Sequence, residues 1–318
     1  MILAAPRGYC AGVDRAVQIV ERALGTLGAP VYVRKEIVHN RHVVADLEAR
    51  GAIFVESEGE IPEGQVCVFS AHGVSPEVRR NAEARHLQVI DATCPLVTKV
   101  HLEAKRFARA GRKIVLIGHE GHEEIEGTAG EVPEDTHVIE STSQLAGLPL
   151  EPGEPVAYLT QTTLSVDDTL SVVEGLRERF TDLAGPHSDD ICYATQNRQV
   201  AVKAIAPDAD VVLIVGAVNS SNSNRMVEVA KVAGTPAYLV PDETFLDPRW
   251  LDGVEVVGVS SGASAPEVLV DRLLEKLAEL GYSEVETKEV TSEDVTFSLP
   301  PWLRPQSTED PAPERRAV

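Results

Sequence analysis

The chain has 318 residues, 43% of them hydrophobic and 25% charged, and a formal net charge of −21. That length predicts two domains or three small ones with a sizeable core, and the composition excludes general disorder. So acidic a chain repels polyanions, and no basic patch offsets this; nucleic acid and membrane surfaces are not expected partners, whereas a small anion held by a pocket's own donors is compatible.

The N-terminus opens on the apolar run Ile2–Ala5 without the basic segment and long apolar core of a secretory signal, so a cytoplasmic protein is expected. Runs such as Val211–Val215 fall far short of the roughly 20 residues a membrane-spanning helix needs. From Ile2 onward, Val- and Ile-rich runs alternate with a polar loop and a segment of helical period. Examples are "ILAAPRGYCAGVDRAVQIVERAL", "VCVFSAHGVSPEVRRNAEARH" and "QVIDATCPLVTKVHLEAKRFARAG", then "VAYLTQTTLSVDDTLSVVEGLRERF", "VVLIVGAVNSSNSNRMVEVAKVAG" and "VEVVGVSSGASAPEVLVDRLLEKLAEL". This pattern predicts an α/β protein with mostly parallel sheets.

The units also recur at a longer interval. One series of strands starts near Ile2, Ile114 and Val211, a second near Val66, Val156 and Val254. They predict three similar lobes, 1–96, 97–193 and 194–281, meeting around an axis. After Gly281, "YSEVETKEVTSEDVTFSLPPWL" is expected to add a strand and pack back on the body, and "RPQSTEDPAPERRAV" reads as a disordered tail.

In parallel α/β sheets, ligands bind beyond the carboxyl ends of the strands. Those positions hold Cys10, His39, His72 and Cys94 in the first lobe; His119, His122, Glu123, Glu124, Glu126, Thr162, Thr163 and Cys192 in the second; and Asn219–Asn222 and Ser260–Ser264 in the third. Cys10, Cys94 and Cys192 thus occupy corresponding places, and three converging thiols suit a metal or an iron-sulfur cluster as well as they suit inert buried thiols. Cys67, inside Val66–Phe69, reads as a small hydrophobe. No Cys-x-x-Cys, dinucleotide fingerprint or Walker loop is present, and His119 and His122 are three apart where a zincin helix needs four. Ser165 and Ser264 can cap the helices that follow. The run "NSSNSNR" offers more polar side chains than one cap uses, which favours an anion site. His86, His101, His137 and His187 read as ordinary surface or satisfied residues.

Nine ordered motifs make the chain resemble the 4-hydroxy-3-methylbut-2-enyl diphosphate reductases over residues 1 to about 280: "PRGYCAGVDRA", "EIVHNRHVV", "FSAHGVS", "DATCPLVTKVH", "GHEGHEEIEGT", "LTQTTLSVDDT", "DDICYATQNRQ", "NSSNSNR" and "GASAPEVLV". The resemblance implies three α/β lobes in pseudo-threefold array around a central cavity. It implies a 4Fe-4S cluster on Cys10, Cys94 and Cys192 with one iron open to substrate. It implies reductive dehydroxylation of an allylic diphosphate to isopentenyl and dimethylallyl diphosphates, with Glu124 as proton donor and Thr162 bridging. His39, His72, His122, Thr163, Ser220, Ser221, Asn222 and Ser264 match the diphosphate pocket, and Glu123 matches no catalytic position. A monomer served by a ferredoxin or flavodoxin type electron donor is expected. Two rival classes are a three-cysteine zinc hydrolase, which would be colourless, and a diphosphate-binding protein, which would not need its thiols.

Overall fold

The computed structural model of the chain describes residues 1–304; the expected tail beyond Arg304 lies outside the described residues. The chain begins with β1 (Ile2–Ala5) and α1 (Ala11–Leu27). It continues through β2 (Val31–Arg34), α2 (Arg41–Ala49), β3 (Ala52–Val55), β4 (Val66–Phe69), α3 (Pro76–Ala84) and β5 (Gln88–Asp91). Next come α4 (Pro95–Arg109), β6 (Lys113–Ile117), α5 (Glu123–Ala129), β7 (Thr136–Ile139), β8 (Pro155–Thr160), α6 (Val166–Arg179) and β9 (Asp182–Ala184). The last part holds α7 (Tyr193–Ile205), β10 (Val211–Val215), α8 (Ser221–Val232), β11 (Ala237–Val240), β12 (Val257–Ser261), α9 (Glu267–Glu279) and β13 (Glu286–Glu289).

The strands form three sheets, ordered β3-β2-β4-β5, β7-β6-β8-β9 and β11-β10-β12-β1-β13. Every pairing is parallel. Central strands such as β10 are buried along their whole length, as helices on both faces of a parallel sheet require. The three lobes and the parallel α/β class agree with the sequence reading. The strands near Val66, Val156 and Val254 occupy equivalent places as β4, β8 and β12.

One expectation is corrected. The run at Ile2 does not open the first lobe: it pairs with β12 and completes the third sheet, so the equivalent of Ile114 and Val211 is Val31. An apolar run carries no mark of which sheet receives it, and this pairing joins residues at opposite ends of the chain. The N-terminal strand thereby takes the fourth position that β5 and β9 hold in the other sheets.

Consequently α1, α4 and α7 are crossovers between lobes. α1 leaves the third sheet and buries Ala16, Ile19, Val20 and Ala23, an i, i+3, i+4, i+7 stripe, among Val31, Val33, Val68 and Ile90 of the first lobe. α4 leaves the first and packs Val100, Ala104 and Phe107 against Ile114, Leu116 and Leu159 of the second. α7 leaves the second and packs Ala201, Val202 and Ile205 against Val212 and Ile214 of the third. Each fully buried aliphatic side chain contributes about 1.5–3 kcal/mol, so a charge such as Ile19→Asp in one stripe would detach that crossover.

After Gly281, β13 pairs beyond β1, and residues 290–304 cross onto the first lobe. There Leu303 is buried in the core, its carbonyl accepts from Arg22, and the Ser298 carbonyl accepts from Arg15. Among the described residues no helix is long and apolar enough to cross a membrane.

Candidate active site

Strands β1, β5 and β9 hold the same place in three sheets, so their carboxyl ends face a common centre. Each exits into a cysteine that caps a crossover helix: Cys10 on α1, Cys94 on α4, Cys192 on α7. All three line one central cavity. Burial pushes the Cys94 thiol up to about 12 and the Cys192 thiol up to about 11, against the pull of the backbone N–H groups of Leu96 and Val97 on the first and the Thr195 hydroxyl and N–H on the second. Left free, these thiols stay protonated. The positive ends of the helices favour thiolates, and a metal would complete the ionisation. Cys67 is fully buried within β4, far from this chemistry, and its thiol is pushed up to about 12 by burial, as suits a core side chain.

The thiol end has room between its donors. A Cβ on Gly12 would stand 2.7 Å from Cys94 Sγ and 3.8 Å from Cys10 Sγ, so only glycine keeps that space clear. Gly8 takes a φ of +69°, open to glycine at little cost, and turns the chain from β1 into the loop of Cys10. Among the described residues no three Cys, His, Asp or Glu side chains close on a single-ion point. Three soft sulfur donors at the starts of three crossover helices, with space kept clear between them by Gly12, fit an iron-sulfur group.

The same cavity wall holds a buried acid. Glu124, 2% exposed in the first turn of α5, accepts from the Thr162 backbone N–H at 2.6 Å and from the Thr162 hydroxyl at 3.0 Å. Burial outweighs those bonds and pushes its carboxyl up to about 7. A carboxylic acid that still holds its proton near neutral pH is suited to donate it.

The opposite end of the cavity is lined with imidazoles and hydroxyls. His39 stacks on His72 with centroids 4.1 Å apart, and His122 meets both edge-on at 5.5 and 5.7 Å. Burial, then the neighbouring imidazoles, lowers His122 to about 3, and burial followed by His72 lowers His39. His122 Nδ1 accepts from the Glu124 N–H, which leaves the neutral ring's proton on Nε2. Carboxylates back the other two: Glu36 lies 3.0 Å from His39 Nδ1 and Glu123 3.4 Å from His72 Nδ1. An arriving anion would oppose the burial that lowers His39 and His122, and Glu36 would support the proton gained by His39.

Across from the imidazoles, Asn222 Oδ1 accepts from Ala263 N–H at 2.8 Å, the Ser264 hydroxyl donates to the His39 carbonyl at 3.0 Å, and the Ser221 hydroxyl to the Thr163 carbonyl at 3.4 Å. The last two bonds join the third lobe to the first and to the second around the ligand space, and the first holds two loops of the third lobe together.

Every residue singled out from the sequence for cluster, acid or diphosphate pocket lines this one cavity. His119 does not; its ring meets Arg225 at 2.8 Å, and Glu126 is exposed. Ser165 caps α6 and Ser220 caps α8, so Ser220 serves helix and cavity alike. The capping alternative for Ser264 fails, because the N-cap of α9 is Pro266, which offers no side-chain cap, and the Ser264 hydroxyl turns to His39 instead. His101 is no surface residue: it is buried, paired to Glu131 at 2.9 Å through Nδ1, with Nε2 unpartnered.

The sequence reading missed Thr195, whose hydroxyl lies 3.2 Å from Cys192 Sγ, and Phe297, which the returning C-terminal segment brings into the cavity wall. Thr195 had a usable signal, its place one helical turn after a cysteine. Phe297 had none.

Fold and site together define a trilobed α/β protein whose central cavity is lined by three thiols, a buried acid, and a set of imidazoles and hydroxyls. The family described as LytB protein matches residues 1–278, and the chain belongs to it. The chain is 59% identical over 305 residues to a 4-hydroxy-3-methylbut-2-enyl diphosphate reductase of Nocardia farcinica, covering 96% of this chain and 91% of that one. It is 60% identical over 310 residues to the enzyme of the same name from Corynebacterium diphtheriae, covering 97% and 93%. The solved E-1-hydroxy-2-methyl-but-2-enyl-4-diphosphate reductase from Plasmodium falciparum superposes with a TM-score of 0.92 at 36% identity, over 95% of this chain and 96% of that one.

Proposed function

We propose that this chain is the reductase its relatives are named for, removing the C4 hydroxyl of (E)-4-hydroxy-3-methylbut-2-enyl diphosphate to give isopentenyl and dimethylallyl diphosphates. The reaction takes up two electrons and two protons and releases water. The observation that carries the reading is the position of Glu124, a buried carboxyl in one cavity with three thiols on one side and three imidazoles on the other.

A 4Fe-4S cluster held by Cys10, Cys94 and Cys192 would pass on the two electrons received one at a time from an external donor of the ferredoxin or flavodoxin type, and would supply Lewis-acid polarisation of the carbon–oxygen bond. The protein does the rest. His39, His72 and His122 donate to the diphosphate, aided by Thr163, Ser220, Ser221, Asn222 and Ser264. Imidazoles and neutral donors let so acidic a chain bind an anion without a lysine cluster. Fixing the diphosphate places the far end of the five-carbon chain at the thiol end. Glu124 then protonates the departing oxygen, and Thr162 holds its carboxyl in line.

Anaerobic purification with iron and sulfide analysis, followed by substrate-dependent oxidation of a chemical reductant, tests the reading. About four irons per chain and release of both products are expected. A colourless chain carrying zinc would overturn it.

A further inference from the structure

Three cations outside the cavity repeat one arrangement around the pseudo-threefold axis. Arg15 stands five residues after Cys10 on α1, and its Nη1 donates to the carbonyls of Ala92 and Thr93, just before Cys94, at 3.2 Å each. Lys99 stands five after Cys94 on α4, and its Nζ donates to the carbonyls of Ser188 and Asp189 and to Asp190 Oδ1, just before Cys192. Arg198 stands six after Cys192 on α7, and its Nη2 and Nε donate to the Gly8 carbonyl, just before Cys10, at 2.7 and 3.2 Å.

Each crossover helix enters a lobe, and its cation clasps the loop by which the chain leaves that lobe. One cysteine begins the incoming helix and the next follows the clasped loop, so each cation spans one side of the thiol triangle. The three links close a ring.

We propose that Arg15, Lys99 and Arg198 are positioning residues that set the spacing of Cys10, Cys94 and Cys192, acting through the backbone without touching the bound group. The proposal rests on the reading of these cysteines as the ligand set. Three features support it beyond the repetition. Arg198 is fully buried, its charge matched by Glu293 of the C-terminal segment at 3.0 Å. The Ser298 carbonyl of that segment accepts from Arg15 Nε at 3.0 Å, so the segment returning over the first lobe braces two of the three links. Asp190 is buried beside Lys99 and also accepts from the Thr160 N–H, which ties its loop to β8.

Bonds from a cation to carbonyls are among the stronger hydrogen bonds, and their geometry fixes the loop. Cys10, Cys94 and Cys192 have no short covalent connection to one another, being 84 and 98 residues apart along the chain. A polynuclear group demands sulfur positions within fractions of an ångström, and supporting groups around metal ligands typically govern affinity.

The test compares Arg15→Met and Lys99→Met with Lys99→Arg and with Lys113→Met, which removes a cation from a surface pair with Asp135 in the second lobe. After anaerobic reconstitution, iron release to a chelator should quicken about 10–100-fold in the two ring variants, while Lys99→Arg and Lys113→Met keep the parental rate. Release is measured well below each chain's melting temperature, so a lower melting temperature with parental release means a merely structural role and overturns the proposal.

A second readout needs no cluster. In the metal-free chain, diamide oxidation of Cys10 with Cys94 is followed by mass spectrometry, and Arg15→Met should change its rate several-fold whereas Lys113→Met should not. Parental rates in Arg15→Met overturn the ring. If the parent binds no iron, the reductase reading fails, and this thiol measurement alone judges the ring.

Discussion

The two ends of the cavity are made from the same repeated scaffold in opposite ways. At the thiol end all three lobes place the same residue type at the same point, a cysteine capping the crossover after the fourth-position strand. At the other end equivalent points differ. The loops after β2, β6 and β10 carry His39, His122 and Ser220, and those after β4, β8 and β12 carry His72, Thr162 and Ser264. A ligand set bonding one sulfur per lobe profits from threefold repetition. A substrate with a head, a tail and one leaving group does not, so the lobes have divided the work.

Breaking the repeated end should cost most. Cys10→Ser, Cys94→Ser and Cys192→Ser should each lose bound iron and nearly all turnover, since a harder oxygen donor suits iron-sulfur chemistry poorly, while Cys67→Ser keeps both. Iron analysis with absorption spectroscopy decides it, and equal loss at all four positions would remove the distinction. Between the ends, Glu124→Gln should keep its iron and turn over about 10²–10⁴-fold more slowly, the usual cost of losing a placed acid. In single-turnover reduction, the parental rate should fall as pH rises through about 7, where Glu124 gives up its proton, and the Gln variant should lack that limb. The divided end should yield least. Asn222→Ala, which loses its bonds with the Ala263 N–H and the Thr195 hydroxyl, or Ser264→Ala, which loses the bond joining the third lobe to the first, should weaken substrate binding about tenfold by titration calorimetry and leave the cluster spectrum as it was.

Much of this was legible in the sequence because it is local. Strand, loop and helix follow from short apolar runs and their spacing, and chemistry at strand ends follows from parallel topology. Thus cysteines 84 and 98 residues apart could be placed together before any coordinates. What stayed hidden is non-local. Nothing in Ile2–Ala5 says that it completes a sheet begun at Val211, and nothing in "TFSLP" says that Phe297 returns to the cavity wall. Arg15, Lys99 and Arg198 look like ordinary helix-surface cations until the loops they clasp are folded against them. The buried state of His101 is hidden for the same reason: its partner Glu131 lies 30 residues away in the turn after α5.

The smallest expected effect concerns stability, and it separates the buried acid from its surroundings. The Glu124 carboxyl is pushed from an ordinary 4.5 up to about 7, with burial the main cause. Between those values the folded chain holds a proton that the unfolded chain has released, so folding is favoured by the difference in protons bound, and the advantage is lost as pH rises through about 7. Carboxylates held low act in the opposite sense at lower pH. Asp242, which burial raises but Thr244, Arg41 and His42 bring down to about 2, adds stability that vanishes only as pH falls toward that value. The raw pH profile therefore mixes both signs, and the comparison that isolates Glu124 is between the metal-free parent and metal-free Glu124→Gln. Glutamine keeps the amide-sized shape and never ionises. The parent's melting temperature should fall relative to the variant's between pH 5 and 8, with the gap levelling off above about 7 to 8. A constant offset across that range would mean that Glu124 is already ionised in the folded chain at pH 5, and the proton donor would then have to be sought elsewhere in the cavity.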